Sequence, residues 1–172
     1  DRIVVSGGGA VSLTGNLNFI FNLTNGILAP GTYDLITTSG TLTAPAVTLA
    51  SNLPIGSRQT LTLEHSPTGT APGYVRLVVT GTNADLTWTG ANGGLWDQQT
   101  TTSWSGASPA TFFNYDTTTF TDTATSGTVT IKQPVAPRSI TVNNTATLPY
   151  TFTGAPITGS TSLVKSGTGS LT

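Results

Sequence analysis

Apolar and polar residues alternate with a period of two along much of the chain. Leu17, Phe19, Phe21 and Leu23 are each separated by a single residue, which is the pattern of a strand with one apolar face. The 3.6-residue period of an amphipathic helix is not found, because Gly, Pro, Asn or Thr interrupts every candidate within a turn or two. The pattern therefore predicts an all-β fold.

Two alternating segments predict an antiparallel hairpin. Leu61, Leu63 and His65 alternate with polar residues, and a second apolar alternation covers residues 75–79. Residues 66–73, SPTGTAPG, lie between them and consist largely of turn formers. The first half of the chain is therefore expected to consist of antiparallel strands with one solvent-exposed face, as in a sandwich.

The remaining strand candidates are short and regularly punctuated, which predicts a sandwich, a barrel or a solenoid. In the second half, residues 128–131 and 139–142 are followed by small polar corners, and this spacing favours a β-solenoid-like stack of short strands. A single β-sandwich or jelly roll is the alternative. The other candidates are residues 3–5, 11–13, 33–37, 47–49, 86–88, 117–120, 150–153 and 162–164.

A domain boundary is expected in the small, polar stretch at residues 81–84. It divides the chain into an antiparallel β segment, residues 1–83, and a Trp-containing β module, residues 84–172. All three Trp residues lie in the second part. A chain of 172 residues is long enough for one medium domain or two small ones.

Charge and composition exclude several classes of function. Charged residues make up 8% of the chain, the net charge is -1 and the basic residues are scattered, so nucleic acid is not an expected partner. No apolar run approaches the roughly 20 residues that span a bilayer. Cys and Met are both absent, which suits an exposed, oxidising location. The chain begins at Asp1 without a signal sequence, and we expect it to be part of a longer exported polypeptide.

Several motifs of the second half carry a family resemblance. Residues 86–97, LTWTGANGGLWD, and 101–105, TTSWS, resemble the Trp-containing module that precedes autotransporter-associated β-strand repeats in very long bacterial surface proteins. Residues 162–172, SLVKSGTGSLT, resemble the opening of the first repeat. The family's strands between the Trp-containing module and the first repeat are similar to residues 120–123, 137–144 and 150–154.

The first half is similar to the segment that closes an array of these repeats. The similarity lies in residues 4–8, 17–19, 31–36 and 74–79. The resemblance implies a chain that runs from the end of one array into the start of another. It also implies a passenger-like role for a bacterial, extracellular or cell-surface protein, namely an exported, elongated β structure, and it does not imply catalysis. The open edges of a solenoid further lead us to expect a structural role in a fibre or filament.

Trp88, Trp96 and Trp104 recur every eight residues and invite two interpretations. Exposed rings would form a platform for stacking sugars, which would make the chain an adhesive module that binds a surface polysaccharide; Phe112, Phe113 and Tyr115 could contribute to it. Buried rings would anchor the core of a small β domain, and this is the favoured interpretation.

The candidates for catalysis or metal binding are few. Asp97, Asp116 and Asp122 could supply the paired carboxylates of a glycosidase, but each has a turn-like neighbourhood in which Asp caps the backbone. His65 is the only histidine, is expected at a strand end, and has no Cys or second His with which to form a zinc site. We expect no catalytic, cofactor or metal residue.

Assembly through strand pairing is the leading functional hypothesis. The apolar strands near the two ends are the candidates, because open edges and uncapped coils of a solenoid need a neighbour. The expected partners are identical subunits or neighbouring repeats. The candidate residues are Ile3, Val4, Val5, Leu163, Val164 and Leu171.

Overall fold

The protein is nearly all β, as the alternation predicts. The computed structural model describes residues 2–21, 27–44, 46–50 and 56–172. These residues form sixteen strands and one short 3-10 turn, Asn92–Gly94. The chain divides into two compact units, the first taking in residues 1–53 and 59–82 and the second residues 54–58 and 83–172.

The first unit stacks one coil of chain on the next. Its strands are β1 (Ile3–Val5), β2 (Val11–Ser12), β3 (Leu17–Ile20), β4 (Gly31–Thr38), β5 (Leu42–Thr43), β6 (Val47–Ala50), β7 (Thr60–His65) and β8 (Gly73–Thr80). β1 pairs in parallel with β4, β2 with β5, and β3 with β6. The coil β1–β2–β3 therefore lies on the coil β4–β5–β6, as in a solenoid.

An antiparallel hairpin covers the other side of the second coil. β7 and β8 pair antiparallel with Leu61 opposite Val79 and Leu63 opposite Leu77, which confirms the predicted hairpin. β8 also pairs antiparallel with β4, across a bulge between Asp34 and Ile36. The hairpin thus occupies the edge of β4 that β1 leaves free.

The first unit differs from the expected antiparallel arrangement in three of its five strand pairs. The pairs that join β1, β2 and β3 to the following coil are parallel. Strand alternation fixes which face is apolar but not the direction of the neighbouring strand, so the pattern alone could not show this. Leu23, the last residue of the first alternating segment, lies outside the described residues.

The second unit is a stack of parallel coils. Its strands are β9 (Asp85–Trp88), β10 (Leu95–Trp96), β11 (Trp104–Ser105), β12 (Thr117–Thr121), β13 (Thr128–Ile131), β14 (Ser139–Asn143), β15 (Thr151–Gly154) and β16 (Ser162–Ser166). β9, β12, β14 and β16 form one parallel face, and β10, β13 and β15 form another. A parallel bridge between Val135 and Ile157 lies outside both faces. The predicted solenoid-like stack is thereby confirmed.

Register in this stack is continuous. Ile140 lies between Thr118 of the preceding coil and Leu163 of the following one, and β12 pairs with β14 over five consecutive residues. Parallel, in-register neighbours are incompatible with the single antiparallel sandwich or jelly roll, so that alternative is wrong. The sequence-based choice between stack and sandwich is settled by these pairings.

One antiparallel strand covers the first coil of the second unit. β11 pairs antiparallel with β9, placing Trp104 opposite Trp88 and Ser105 opposite Thr87. β11 therefore closes the free edge of β9 in the same way that the hairpin closes β4 in the first unit. Each unit has one end covered by antiparallel strands and one end where a parallel strand forms the edge.

Candidate functional site

The three Trp side chains form the centre of the second unit's core. All three are buried, together with Phe112 and Phe120. The ring centroids of Trp88 and Trp104 lie 5.0 Å apart, and those of Trp96 and Trp104 lie 5.2 Å apart, both in edge-to-face geometry. Such geometry is the favourable one for aromatic pairs. The core-anchor interpretation is confirmed.

The glycan-stacking prediction for Trp88, Trp96 and Trp104 is wrong, because a sugar ring cannot stack on a buried indole. Phe112 is buried as well, and the guanidinium of Arg58 lies over the ring of Phe113, 4.3 Å from its centroid. The three Trp residues are eight residues apart because each lies in a different strand of the first coil, β9, β10 or β11. This spacing does not place them on a common exposed face.

Asp97 and Asp122 hold turns and corners in place. The Asp97 carboxylate accepts hydrogen bonds from the backbone N–H of Thr101 at 2.8 Å and from its hydroxyl at 2.5 Å. The Asp122 carboxylate accepts the N–H of Thr145, one coil further on, at 2.9 Å. Both acids have the backbone-capping role that their turn-like neighbourhoods predict.

Asp116 is the buried acid of the second unit, and its partner was not foreseen. Arg58 Nε donates to both Asp116 oxygens, at 2.9 and 3.0 Å, and Arg58 Nη2 donates to the carbonyl of Thr111 at 2.6 Å. Asp116 also accepts the backbone N–H groups of Ala84 and Phe113, each at 2.9 Å. No spacing rule links residues 58 and 116, so the sequence offers no signal for this pair.

His65 closes β7, at the strand end where it was expected. Its Nδ1 lies 2.9 Å from the carbonyl of Ser66 and donates to it. In the part of the chain that the structure describes, no group of three or more His, Cys, Asp or Glu side chains is placed to hold a metal ion. The same residues contain no helix long and apolar enough to cross a membrane.

A shallow depression of about 400 Å³ lies beside β1. Val4, Val5, Thr38 and Pro72 line it, and none of its lining residues is ionisable. Its polar side chains are the hydroxyl groups of Ser6, Thr37, Thr38 and Ser39. Its interest is its position next to an uncovered strand.

β1 and β16 are apolar strands at the free edges of their sheets. Each is the terminal strand of its sheet, with a parallel neighbour on one side only. Ile3 is 61% exposed although its register partner Ile36 is 5% exposed, and Leu163 is 56% exposed although its partner Ile140 is 2% exposed. Ile3 and Leu163 therefore lie on the inward side of coils that no other described strand covers.

The opposite edges of the two larger sheets are protected. β7 carries Glu64, which forms an ion pair with Arg76 at 2.8 Å, and charged side chains on an edge discourage further pairing. β11 is only two residues long, which also limits pairing. β16 carries one charged residue, Lys165, and β1 carries none.

The other predicted assembly residues lie beside these edges. Val4 and Val164 are exposed, and Val5 is half-buried at the end of β1. Leu171 is half-buried and forms a parallel bridge with Tyr150. The structure thus places the two groups at the uncovered coil of each unit.

Comparison of the chain with protein-family models, with curated proteins and with solved structures finds no match. The candidate site is consequently defined by geometry alone. It comprises the free edges of β1 and β16 with their exposed apolar side chains.

Proposed function

We propose that the protein is a structural, extracellular or cell-surface β module that continues a fibre or filament by strand pairing at β1 and β16. The observation that carries the proposal is the exposure of Ile3 and Leu163 at positions that are buried in the adjoining coil. Coverage by one more coil would remove both from water. Burying such a side chain fully contributes about 1.5–3 kcal/mol.

The backbone of each edge adds to this tendency. An edge strand presents unpaired N–H and C=O groups, and an added strand satisfies them without requiring a particular side-chain partner. Solenoid coils contact only their neighbours, so a coil added at either end repeats interactions already present within the stack. The antiparallel caps restrict this growth to one end of each unit.

The composition and the family resemblance support the location. A chain without Cys or Met is insensitive to thiol and methionine oxidation. The resemblance to autotransporter-associated β-strand repeats implies export to the bacterial surface. A non-enzymatic role is part of the proposal, because Asp97, Asp116 and Asp122 are each engaged in hydrogen bonds that hold backbone.

Sedimentation velocity over a concentration series, with negative-stain electron microscopy, tests the proposal. We expect the chain to self-associate and form fibres. Leu163→Glu places a charge on the inward side of the open coil and should abolish association. Thr119→Glu, on the outward side of β12 between two paired neighbours, is the matched control and should associate like the unaltered chain.

A chain that stays monomeric at the highest concentration and forms no fibres would overturn the proposal. Association that Leu163→Glu leaves unchanged would show that β16 is not the surface used. Far-UV circular dichroism of both variants establishes that each has kept its fold.

A further inference from the structure

The two uncovered coils share one sequence pattern. Residues 3–12 are IVVSGGGAVS and residues 163–172 are LVKSGTGSLT. Without any gap, Val, Ser and two Gly coincide, and four further positions pair similar residues: Ile with Leu, Ala with Ser, Val with Leu and Ser with Thr. The two segments stand at opposite ends of the chain and belong to different compact units.

The two segments also have the same local structure. In each, a strand is followed by a glycine-containing corner and then by a second paired position. Ile3 and Val11 are eight residues apart, as are Leu163 and Leu171, and Val11 and Leu171 are both paired in parallel with a neighbouring coil. Gly7 and Gly167 both have positive φ, at 114° and 70°, which favours glycine at the corner.

The two free edges accept different neighbours: one accepts a coil that comes before it in chain order, and the other accepts a coil that comes after it. The neighbour of β1 is β4, which follows it in the chain, so the free edge of β1 is the one that a preceding coil would occupy. The neighbour of β16 is β14, which precedes it, so the free edge of β16 is the one that a following coil would occupy. One copy therefore carries both complementary halves of a parallel junction.

We propose that a second copy of this chain docks its β1 coil on β16, in the register Leu163 to Ile3, Val164 to Val4 and Leu171 to Val11. This inference rests on the proposed function and specifies its partner, its polarity and its register. Leu163 and Ile3 meet on the inward side, since their register partners Ile140 and Ile36 are both buried. Val164 and Val4 meet on the outward side.

Lys165 fits this arrangement although its counterpart in the shared pattern is Val5. Its register partner Val142 is a buried core residue, so Lys165 starts from the inward side of the strand. Its ammonium group donates to the carbonyls of Ser166 and Gly167, at its own corner. The ammonium group is thus held at the corner of the coil. The inward side of β16 at this position is then free for Val5 of the second copy.

The junction is heterologous, because different surfaces of the two copies meet. A heterologous contact leaves one β1 and one β16 free at the ends of every assembly, and it yields open filaments unless the rotation closes a ring. A symmetric dimer through β16 alone would need antiparallel pairing. It would not use the shared pattern.

Cysteine cross-linking tests the register. Because the chain has no natural Cys, every disulfide joins two introduced residues. Val4→Cys is mixed with Val164→Cys under mild oxidation. Paired strands lie about 4.7–4.9 Å apart, which is within the Cα separation of a disulfide. The matched controls mix Val4→Cys with Ser162→Cys or with Ser166→Cys, which lie on the same face of β16 but two residues out of register, at roughly 8 Å. All four positions are exposed, so the fold should be unaffected.

We expect the Val4–Val164 pair to give the heterodimer several-fold faster than either control pair. Equal yields in the three mixtures, or a predominance of disulfides between two identical variants, would overturn the inference. If Leu163→Glu still blocked association in that case, the proposed function would stand without this register. A chain that never associates would overturn both.

Discussion

Arg58 and Asp116 form an ion pair whose carboxylate is completely buried. The guanidinium Nε donates to both carboxylate oxygens, and the Arg58 side chain is only 11% exposed. Two backbone N–H groups complete the set of donors around Asp116. A residue from the segment 54–58 is therefore needed to neutralise the most deeply buried charge of the second unit.

Replacement of Arg58 by Leu should lower the free energy of unfolding of the second unit by about 3–5 kcal/mol, because it leaves an uncompensated buried charge. Urea denaturation followed by Trp fluorescence measures the loss, since all Trp residues are in this unit. The control is Arg138→Leu, which removes an exposed arginine of the same unit and should change its free energy of unfolding by less than about 0.5 kcal/mol. Equal effects of the two substitutions would contradict the assigned role of Arg58.

Trp104→Ala should destabilise the second unit by about 3–5 kcal/mol, because it opens a cavity between Trp88 and Trp96. Val164→Ala removes an exposed side chain and should change the stability of dilute, unassociated protein by less than about 0.5 kcal/mol. Thermal unfolding by circular dichroism compares the two. A small effect of Trp104→Ala would mean that the aromatic cluster is not the centre of the core.

Gly93 and Gly94 form a matched pair of adjacent glycines with φ of 71° and 72°. A Cβ on Gly93 meets nothing within 4 Å, whereas a Cβ on Gly94 collides with the carbonyl of Thr128. Gly93→Ala should cost about 1–2 kcal/mol from the left-handed backbone alone. Gly94→Ala should cost a further 1–3 kcal/mol or so from overpacking, and chemical denaturation of the two variants measures the difference. The prediction fails if the two are equally stable.

Burial raises the pKa of Tyr150 from 10.0 to about 12, and the charge of Asp122 acts in the same direction. The Tyr150 hydroxyl donates to the Thr121 carbonyl at 2.7 Å. The native state keeps this proton between pH 10 and about 12, whereas the unfolded state releases it. The contribution of Tyr150 to stability is therefore fully present below pH 10 and falls as pH rises through that window.

Tyr150→Phe tests this dependence. The variant should lose about 0.5–1.5 kcal/mol at neutral pH, because the Thr121 carbonyl loses its donor, and it should lack the Tyr150 contribution to the alkaline decline. Denaturation at a series of pH values gives the slope, and the difference absorbance spectrum of the two proteins isolates the titration of Tyr150. Parallel curves for the two proteins between pH 10 and 12 would contradict the assignment.

Local features of the fold were predictable where one strand and its turn contain all the necessary information. The hairpin that pairs Leu63 with Leu77 follows from two alternations and the turn formers between them. The stack that pairs Thr118 with Ile140 follows from short strands and polar corners. Both features depend on contacts that are close in sequence or on a repeated spacing.

Features that depend on long-range geometry were not predictable. The parallel pairing of Ile3 with Ile36 is invisible in the alternation, which is the same for either strand direction. Arg58 and Asp116 meet only because of the tertiary fold. The burial of Trp88, Trp96 and Trp104 was the favoured interpretation, but their mutual contacts depend on β9, β10 and β11 enclosing a common interior, which the sequence alone does not reveal.

From β12 onward, the stacked strands of the second unit recur every 22 or 23 residues, as the pairs Thr118–Ile140 and Ile140–Leu163 show. Recombination that inserts or deletes one such length returns each downstream side chain to an equivalent environment. A stack of this kind can therefore gain or lose whole coils with little loss of stability. Insertion of an odd number of residues within a strand, by contrast, would turn the following apolar side chains outward.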